Sequence, residues 1–191
     1  ATDSQTVDIS GSISFEDDVP EAVDDHEYAT EGKIADSNVM MIVDLSGSMD
    51  NTVTYNGQTM TRLAAVKLAS IELLNAYDEA SDVAVRIVTY DSSASKVGAS
   101  WMSISDAIQW FTNLSNNAGN GNTNYDAALL MAKDAFDDPG AISGAQNVSY
   151  FLSDGNPTVS STWDGVPGSG SVGINPAEEA DWKAFLNANK I

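Results

Sequence analysis

Residues 39–48, VMMIVDLSGS, decide the fold of this chain of 191 residues. A short apolar run without alternation is followed at once by Asp44 and two serines. Such a run is typical of a strand that is buried on both faces, as in a parallel sheet covered by helices. Polar residues that directly follow the strand lie at its carboxyl end, where ligands bind in open α/β sheets. The stretch therefore predicts a sheet and a site together.

The rest of the chain continues this pattern of apolar runs separated by helical periods. We predict strands at 82–90 and 146–153, a short edge strand at 96–102, and helices at 62–77, 105–114 with Ser105 as the cap, 125–136 and 176–188. Strands that alternate with helices imply βαβ crossovers. The predicted fold class is α/β: a three-layer, doubly wound, mostly parallel sheet flanked by helices. The dipeptide Asn56-Gly57 predicts a hairpin turn after the first strand.

The acidic residues divide the chain into two regions. The net charge is −20, and residues 1–36 contain 11 acidic side chains against the single basic residue Lys33. We assign 1–36 to an acidic N-terminal extension, either an inter-module linker or the end of a preceding repeat, and 37–191 to the α/β domain. The clustered carboxylates of the extension are either simply solvated or stiffened by Ca²⁺, which accepts six to eight such oxygens.

Composition excludes several classes of function. The strong acidity argues against a nucleic-acid partner, and no stretch is long and apolar enough to span a membrane. Cysteine is absent and His26 is the only histidine, so disulfides and the usual zinc ligand sets are excluded. No G-x-S-x-G motif surrounds Ser46 or Ser48, which argues against a serine hydrolase. Aspartate loops that handle phosphate need a second carboxylate at the position of Ser46, and they need basic residues nearby for the phosphoryl oxygens. The first is missing here, and we expect basic residues to be scarce near this loop.

Three polar segments follow predicted strands or precede a predicted helix: residues 44–48, 121–124 and 153–155. We expect them to share one edge of the sheet, and we call this edge the rim. Ser46, Ser48 and Thr123 offer neutral hydroxyl oxygens to a metal ion. Asp44 and Asp154 either coordinate the ion or accept hydrogen bonds from its water molecules. Because uncharged inner ligands leave the ion's positive charge underbalanced, such a site attracts an external carboxylate.

The segments DLSGS (44–48), GNTNYDAAL (121–129) and FLSDGNPT (151–158) together resemble the von Willebrand factor A-type domain with its metal-ion-dependent adhesion site. The resemblance covers about residues 36–191. It implies a metal site made by Asp44, Ser46, Ser48, Thr123 and Asp154, with Mg²⁺, or else Mn²⁺ or Ca²⁺, as the ion. It also implies that an acidic side chain of a protein or peptide ligand completes the shell. The family normally continues with a further strand and helix, so we expect a domain that is either truncated or interrupted after Ile191.

The leader GSISFEDDVPEAVDD (11–25) is similar to the junctions between repeats of large bacterial RTX adhesins. We therefore expect a piece of an extracellular protein of the bacterial cell surface, which acts in adhesion and biofilm formation beside other domains of the same polypeptide. The resemblance implies no enzymatic activity. Two alternatives stay open: a structural module stiffened by metal, and a Mg²⁺-dependent enzyme or ATPase-partner domain.

Overall fold

The computed structural model describes residues 35–159 and 176–189. The strands are β1 (Ser37–Asp44), β2 (Thr52–Tyr55), β3 (Gln58–Thr61), β4 (Val83–Tyr90), β5 (Ala94–Lys96) and β6 (Gln146–Leu152), and the α-helices are α1 (Arg62–Asp78), α2 (Ile104–Asn113), α3 (Tyr125–Ala135) and α4 (Pro176–Asn189). A 3-10 helix covers Gly47–Asp50. The predicted acidic extension, apart from its last two residues, and the predicted calcium site in it lie outside the described residues.

The main sheet has the strand order β5-β4-β1-β6, with β1 at its centre. Strand β1 runs parallel to β4 on one side and to β6 on the other, while β5 pairs antiparallel with β4. The chain leaves β1 towards β4 and later returns to the opposite side of β1 to form β6. The direction of winding therefore reverses between β1 and β6, and the carboxyl ends of these two strands form the crevice of a doubly wound sheet.

The two faces of the sheet carry separate apolar cores because successive side chains of a strand point to opposite faces. Met40 and Ile42 of β1 pack with Ala128 and Leu129 of α3. The alternate positions of β1 pack against α1 and α2: Val39, Met41 and Val43 lie in one cluster with Leu74, Ile104, Ala107 and Phe111. All eight residues of β1 are buried. The predicted three-layer α/β fold, with a mostly parallel sheet between helices, is confirmed.

The cap of α2 and the edge strand differ from the prediction, and several other element ends differ by a residue or two. Helix α2 begins at Ile104, and its cap is Ser103, whose Oγ accepts the N–H of Asp106 at 3.1 Å; Ser105 was the wrong choice. A hydroxyl and a carboxylate three residues apart make a reciprocal capping arrangement, which Ser105 lacks. The edge strand predicted at 96–102 is instead β5 at 94–96, with a single antiparallel bridge between Val85 and Met102.

A buried arginine holds the chain directly after the edge strand. The side chain of Arg86 is fully buried on β4, where its guanidinium donates to the carbonyl oxygens of Val97 at 2.6 Å and Gly98 at 3.1 Å. Gly98 has a φ of +73°, a left-handed conformation that glycine adopts without strain. Together with the main-chain bond from Val97 to Ile87, these contacts hold residues 97 and 98 beside β4.

The predicted hairpin is present. Strands β2 and β3 pair antiparallel around Asn56 and Gly57, whose φ angles of +49° and +77° are those of the tight hairpin turn that Asn-Gly favours. The hairpin leads directly into α1, and the Thr61 hydroxyl accepts the N–H of Ala64 as its cap. The start of α1 is thereby set close to the loop that follows β1. None of the helices within 35–159 and 176–189 is both long and apolar enough to cross a membrane.

Candidate metal centre

The carboxylate of Asp44 lies beneath the rim and is held from several sides. It has no exposed surface. Its Oδ1 accepts the main-chain N–H of Ser46 at 2.7 Å, and its Oδ2 accepts the hydroxyls of Ser153 at 2.7 Å and Tyr90 at 3.3 Å. Both oxygens are therefore occupied by protein donors. In this arrangement Asp44 supplies negative charge and orients the loop, while other groups face the rim.

Three oxygens form a continuous chain above Asp44. The hydroxyl oxygens of Ser46 and Ser48 lie 3.1 Å apart, and the Ser48 hydroxyl donates to Oδ1 of Asp154 at 2.9 Å. The first two residues follow β1 and the third follows β6, so the reversal of winding brings them together. In an octahedral shell with oxygens at ~2.0–2.1 Å from Mg²⁺, neighbouring oxygens lie about 2.8–3.0 Å apart. The separation of 2.9 Å falls within this range, and that of 3.1 Å lies just above it.

Thr123 reaches the same region on a loop that is tied to the end of β1. The main-chain N–H of Asn120 donates to the carbonyl of Leu45 at 2.7 Å, and that of Gly47 donates to the carbonyl of Gly121 at 3.2 Å. Thr123 itself is held through its main chain, since its N–H donates to the hydroxyl of Thr158 at 2.9 Å. It is 4% exposed. These bonds place Thr123 beside residues 45–48, which carry Ser46 and Ser48 and are called the serine loop below. Thr123 is held there by its main chain rather than by its hydroxyl.

Asp50 is a third carboxylate close to the serine loop. Its Oδ1 accepts the N–H of Gly119 at 2.9 Å. A Cβ atom at Gly119 would lie 2.6 Å from that Oδ1 and 2.8 Å from the carbonyl oxygen of Ser46, which is too close for any side chain. Glycine is therefore required where the 119–121 loop crosses the 3-10 helix. Sequence reasoning did not select Asp50, although it continues the alternation of polar residues in 44–50.

A cation also borders the site, where few were expected. Arg62, the first residue of α1, donates from Nη1 to Oδ2 of Asp154 at 2.7 Å. The carboxylate of Asp154 thus has one oxygen towards Ser48 and the other towards Arg62. The expectation that basic residues are scarce near the rim was incomplete, because the hairpin that precedes α1 carries Arg62 back to it.

A cluster of hydroxyls and aromatic rings supports the site from below. The Tyr125 hydroxyl donates to the hydroxyl of Ser153 at 2.9 Å and also contacts the carbonyl oxygen of Gly155. The ring of Tyr125 packs edge-on against those of Tyr90 and Phe151, at centroid distances of 6.0 and 4.9 Å. Burial, together with the negative charge of Asp44, raises the pKa of Tyr90 far above its usual value. Tyr90 therefore stays protonated and able to donate.

The predicted site residues all lie at one end of the sheet, but they are joined to one another in different ways. Direct hydrogen bonds join Asp44 to Ser46, Ser46 to Ser48 and Ser48 to Asp154, whereas Thr123 arrives through its loop. Sequence reasoning missed the groups that hold them, chiefly Tyr90, Ser153 and Arg62. For Ser153 the available indication was its position next to Asp154 in the same segment.

The donor set fits a hard divalent cation. Hydroxyl and carboxylate oxygens are the ligands that Mg²⁺ and Ca²⁺ prefer. Among residues 35–159 and 176–189 no cluster of three or more histidine, cysteine, aspartate or glutamate side chains is arranged to hold a metal. Within that part of the chain, an ion at the rim would therefore depend on the serine hydroxyls as well as on carboxylates.

The sequence and the fold were compared with known proteins. The family model of the von Willebrand factor type A domain matches residues 39–156. No curated protein sequence gives a significant match.

Among solved structures, the PilB minor pilin from Streptococcus sanguinis superposes with a TM-score of 0.52 at 22% identity, covering 66% of this chain and 31% of that one. The vWF domain of the type V pili tip protein Mfa5 from Porphyromonas gingivalis gives a TM-score of 0.52 at 17% identity, covering 79% of this chain and 50% of that one. The pilus adhesin SpaC from Lactobacillus rhamnosus GG gives 0.50 at 20% identity, covering 65% and 16%. At such identities the likeness is one of fold, and the chain spans half or less of the length of each of these proteins.

Proposed function

This chain belongs to the von Willebrand factor type A domain family, and we propose that its rim is a metal-dependent adhesion site for an acidic group of a protein or peptide ligand. The observation that carries the proposal is the chain of oxygens from Ser46 through Ser48 to Asp154, set above a buried carboxylate whose oxygens are already engaged by protein donors. This arrangement leaves mainly neutral hydroxyls to face an ion.

The residues of the site would have different roles in binding the ion. Ser46 and Ser48 would contribute hydroxyl oxygens, and Oδ1 of Asp154 would coordinate or accept a hydrogen bond from a metal-bound water. Asp44 balances charge from below. Mg²⁺ is the proposed ion, with Mn²⁺ and Ca²⁺ as alternatives, and when bound it supplies an attraction for a carboxylate. Thr123 would contribute its hydroxyl when a ligand is present.

The proposed setting is the surface of a bacterium, with the domain as one module of a longer adhesin of the RTX type and no enzymatic activity of its own. The structural neighbours are a minor pilin, a pilus tip protein and a pilus adhesin, and they support a surface role. The leader at 11–25 supports the RTX type. A calcium-stiffened junction within residues 1–36 is part of the same proposal, since the clustered carboxylates there repel one another unless a cation neutralises them.

Binding to arrayed peptides tests the proposal. Each peptide is printed twice, once with Asp and once with Asn at its central position, and the protein is applied with Mg²⁺ or with chelator. We expect retention on a subset of the Asp peptides that is lost on the matched Asn peptides and with chelator. Equal retention on the Asp and Asn peptides, with Mg²⁺ and with chelator, would contradict an adhesion site. Metal binding without any peptide retention would favour the stiffened structural module, and hydrolysis of phosphate or ester substrates with Mg²⁺ would favour an enzyme.

A further inference from the structure

The ion pair between Arg62 and Asp154 places a fixed positive charge beside the proposed metal site. The two partners are 92 positions apart in the chain and meet at 2.7 Å. Asp154 is nearly buried, with 7% of its side chain exposed, whereas 38% of Arg62 is exposed. The pair is therefore open to solvent on the arginine side. A molecule that approaches the rim therefore meets the guanidinium as well as the half-buried Ser48.

The position of Arg62 is unfavourable for α1 itself. Arg62 is the first residue of that helix, and no acidic residue lies in the first turn to offset it. The positive end of the helix dipole favours anions at the N-terminus, so a cation there is disfavoured. The placement of this arginine therefore does not serve the helix. Its favourable partner is Asp154, which follows β6.

Negative charge dominates the remainder of the site. Asp44, Asp50 and Asp154 all contact the serine loop or the loop that crosses it. Among the described residues, Arg62 is the basic side chain that pairs with one of these carboxylates. A divalent ion would balance the three carboxylates only if Arg62 also contributes its charge. Without Arg62 the loaded group would keep a formal negative charge, which repels an acidic ligand.

The ion and Arg62 need not compete for the same atom. Oδ1 of Asp154 faces Ser48, and Oδ2 faces Arg62. An ion at the serine hydroxyls therefore meets Oδ1 while the arginine keeps Oδ2. The two cations share one carboxylate and repel each other across it.

We propose that Arg62 determines the ligand specificity of the rim: it weakens metal binding and in return strengthens the binding of a carboxylate to the loaded site. The proposal rests on the metal-dependent function proposed above. Two effects of opposite sign follow from one charge. A purely structural arginine that only orients Asp154 would have the opposite effect on the metal, because its loss would loosen a ligand.

The test uses Mn²⁺ as the metal probe and acetate as the carboxylate probe. Binding of Mn²⁺ is measured by calorimetry, and binding of acetate to the loaded protein by the relaxation of water protons near Mn²⁺, with a protein-free blank for acetate in solution. For Arg62→Gln we expect Mn²⁺ to bind roughly three- to tenfold more tightly and acetate roughly three- to tenfold more weakly. Arg62→Lys keeps the charge and should stay within about twofold of the wild type in both measurements.

The matched control is Lys183→Gln on α4, which removes the same charge from an exposed site where Lys183 pairs with Glu179. It should change neither measurement. Equal or weaker Mn²⁺ binding by Arg62→Gln, or equal shifts in Lys183→Gln, would overturn the role of Arg62 and leave the metal site standing. If the wild type and Asp44→Asn give identical Mn²⁺ titrations, the rim binds no Mn²⁺. That result would overturn the proposed function as well.

Discussion

The hydroxyl of Ser153 donates to Oδ2 of Asp44 at 2.7 Å and so joins the carboxyl ends of β6 and β1. These two strands are neighbours in the sheet but lie more than a hundred residues apart in the chain. The bond fixes a buried carboxylate whose other oxygen holds the N–H of Ser46. The geometry of the serine loop therefore depends on a residue that would not itself touch the ion.

We expect Ser153→Ala to weaken metal binding by up to about tenfold, because residues that orient a ligand group typically matter on that scale. The measurement is calorimetric titration with Mg²⁺. Ser149→Ala on the same strand is the control, since its buried Oγ has no hydrogen-bond partner among the described residues and its loss should leave metal binding unchanged. Equal affinities of wild type and Ser153→Ala would show that the bond to Asp44 is dispensable.

Removing the charge of Asp44 should lower the affinity for Mg²⁺ more than removing the hydroxyl of its partner Ser153 does. For Asp44→Asn we expect Mg²⁺ affinity to fall by about 10- to 100-fold while the fold survives, as monitored by circular dichroism. Asp91→Asn is the matched control because Asp91 directly follows β4, just as Asp44 ends β1, and its carboxylate accepts the N–H and the hydroxyl of the nearby Ser93. Undiminished Mg²⁺ binding by Asp44→Asn would rule out the rim as the metal site.

Thr123→Ala should separate metal binding from ligand binding. Because Thr123 is attached through its main chain, loss of its hydroxyl should leave the loop in place. We expect less than about threefold loss in Mg²⁺ affinity but a loss of at least about tenfold in binding to the Asp peptides retained by the wild type. Thr123→Ser keeps the hydroxyl and should bind both as the wild type does. An equal loss of metal and peptide in Thr123→Ala would place its hydroxyl at the ion even without ligand.

Stability depends on a second ion pair, remote from the rim. The fully buried guanidinium of Arg86 meets Oδ2 of Asp138 at 2.7 Å, and Lys96 meets the other oxygen at 2.9 Å. Removing Asp138 leaves a buried cation unpaired, so Asp138→Ala should lower the free energy of unfolding by about 2–4 kcal/mol at pH 7. Urea unfolding measures this, with the exposed neighbour Asp137→Ala as control, expected within about 0.5 kcal/mol of the wild type.

The same pair predicts a dependence of stability on pH. Burial raises the pKa of Asp138, but the hydrogen bonds and charges of Lys96 and Arg86 outweigh this and hold the pKa below its usual value. A carboxyl whose pKa is lowered on folding stabilises the protein above its unfolded pKa and loses that contribution as the pH falls through the folded value. The stability difference between wild type and Asp138→Ala should therefore be constant near neutrality and shrink below about pH 4. A difference that grows on acidification would contradict the assigned direction.

The sequence alone determined the fold class and the polar segments of the rim. Unbroken apolar runs such as 39–43 predict strands buried on both faces, and β1 is such a strand. The Asn56-Gly57 turn and the starts of α1 and α3 were also predicted, because local rules of turn geometry and helical periodicity decide them. The cap of α2 could have been predicted as well, since Ser103 and Asp106 have capping spacing.

Only the tertiary structure decided which partners hold these residues. The chain directly after β5 is held by Arg86 of the neighbouring strand β4, whose guanidinium donates to the carbonyls of Val97 and Gly98. At the rim, the hydroxyl groups that donate to Asp44 come from β4 and from the end of β6, and the cation beside Asp154 comes from the start of α1. Local sequence cannot reveal such pairs, because they form only when the reversal of winding at β1 brings distant segments to one edge of the sheet. The charge that an ion or a ligand would meet there is therefore a property of the fold.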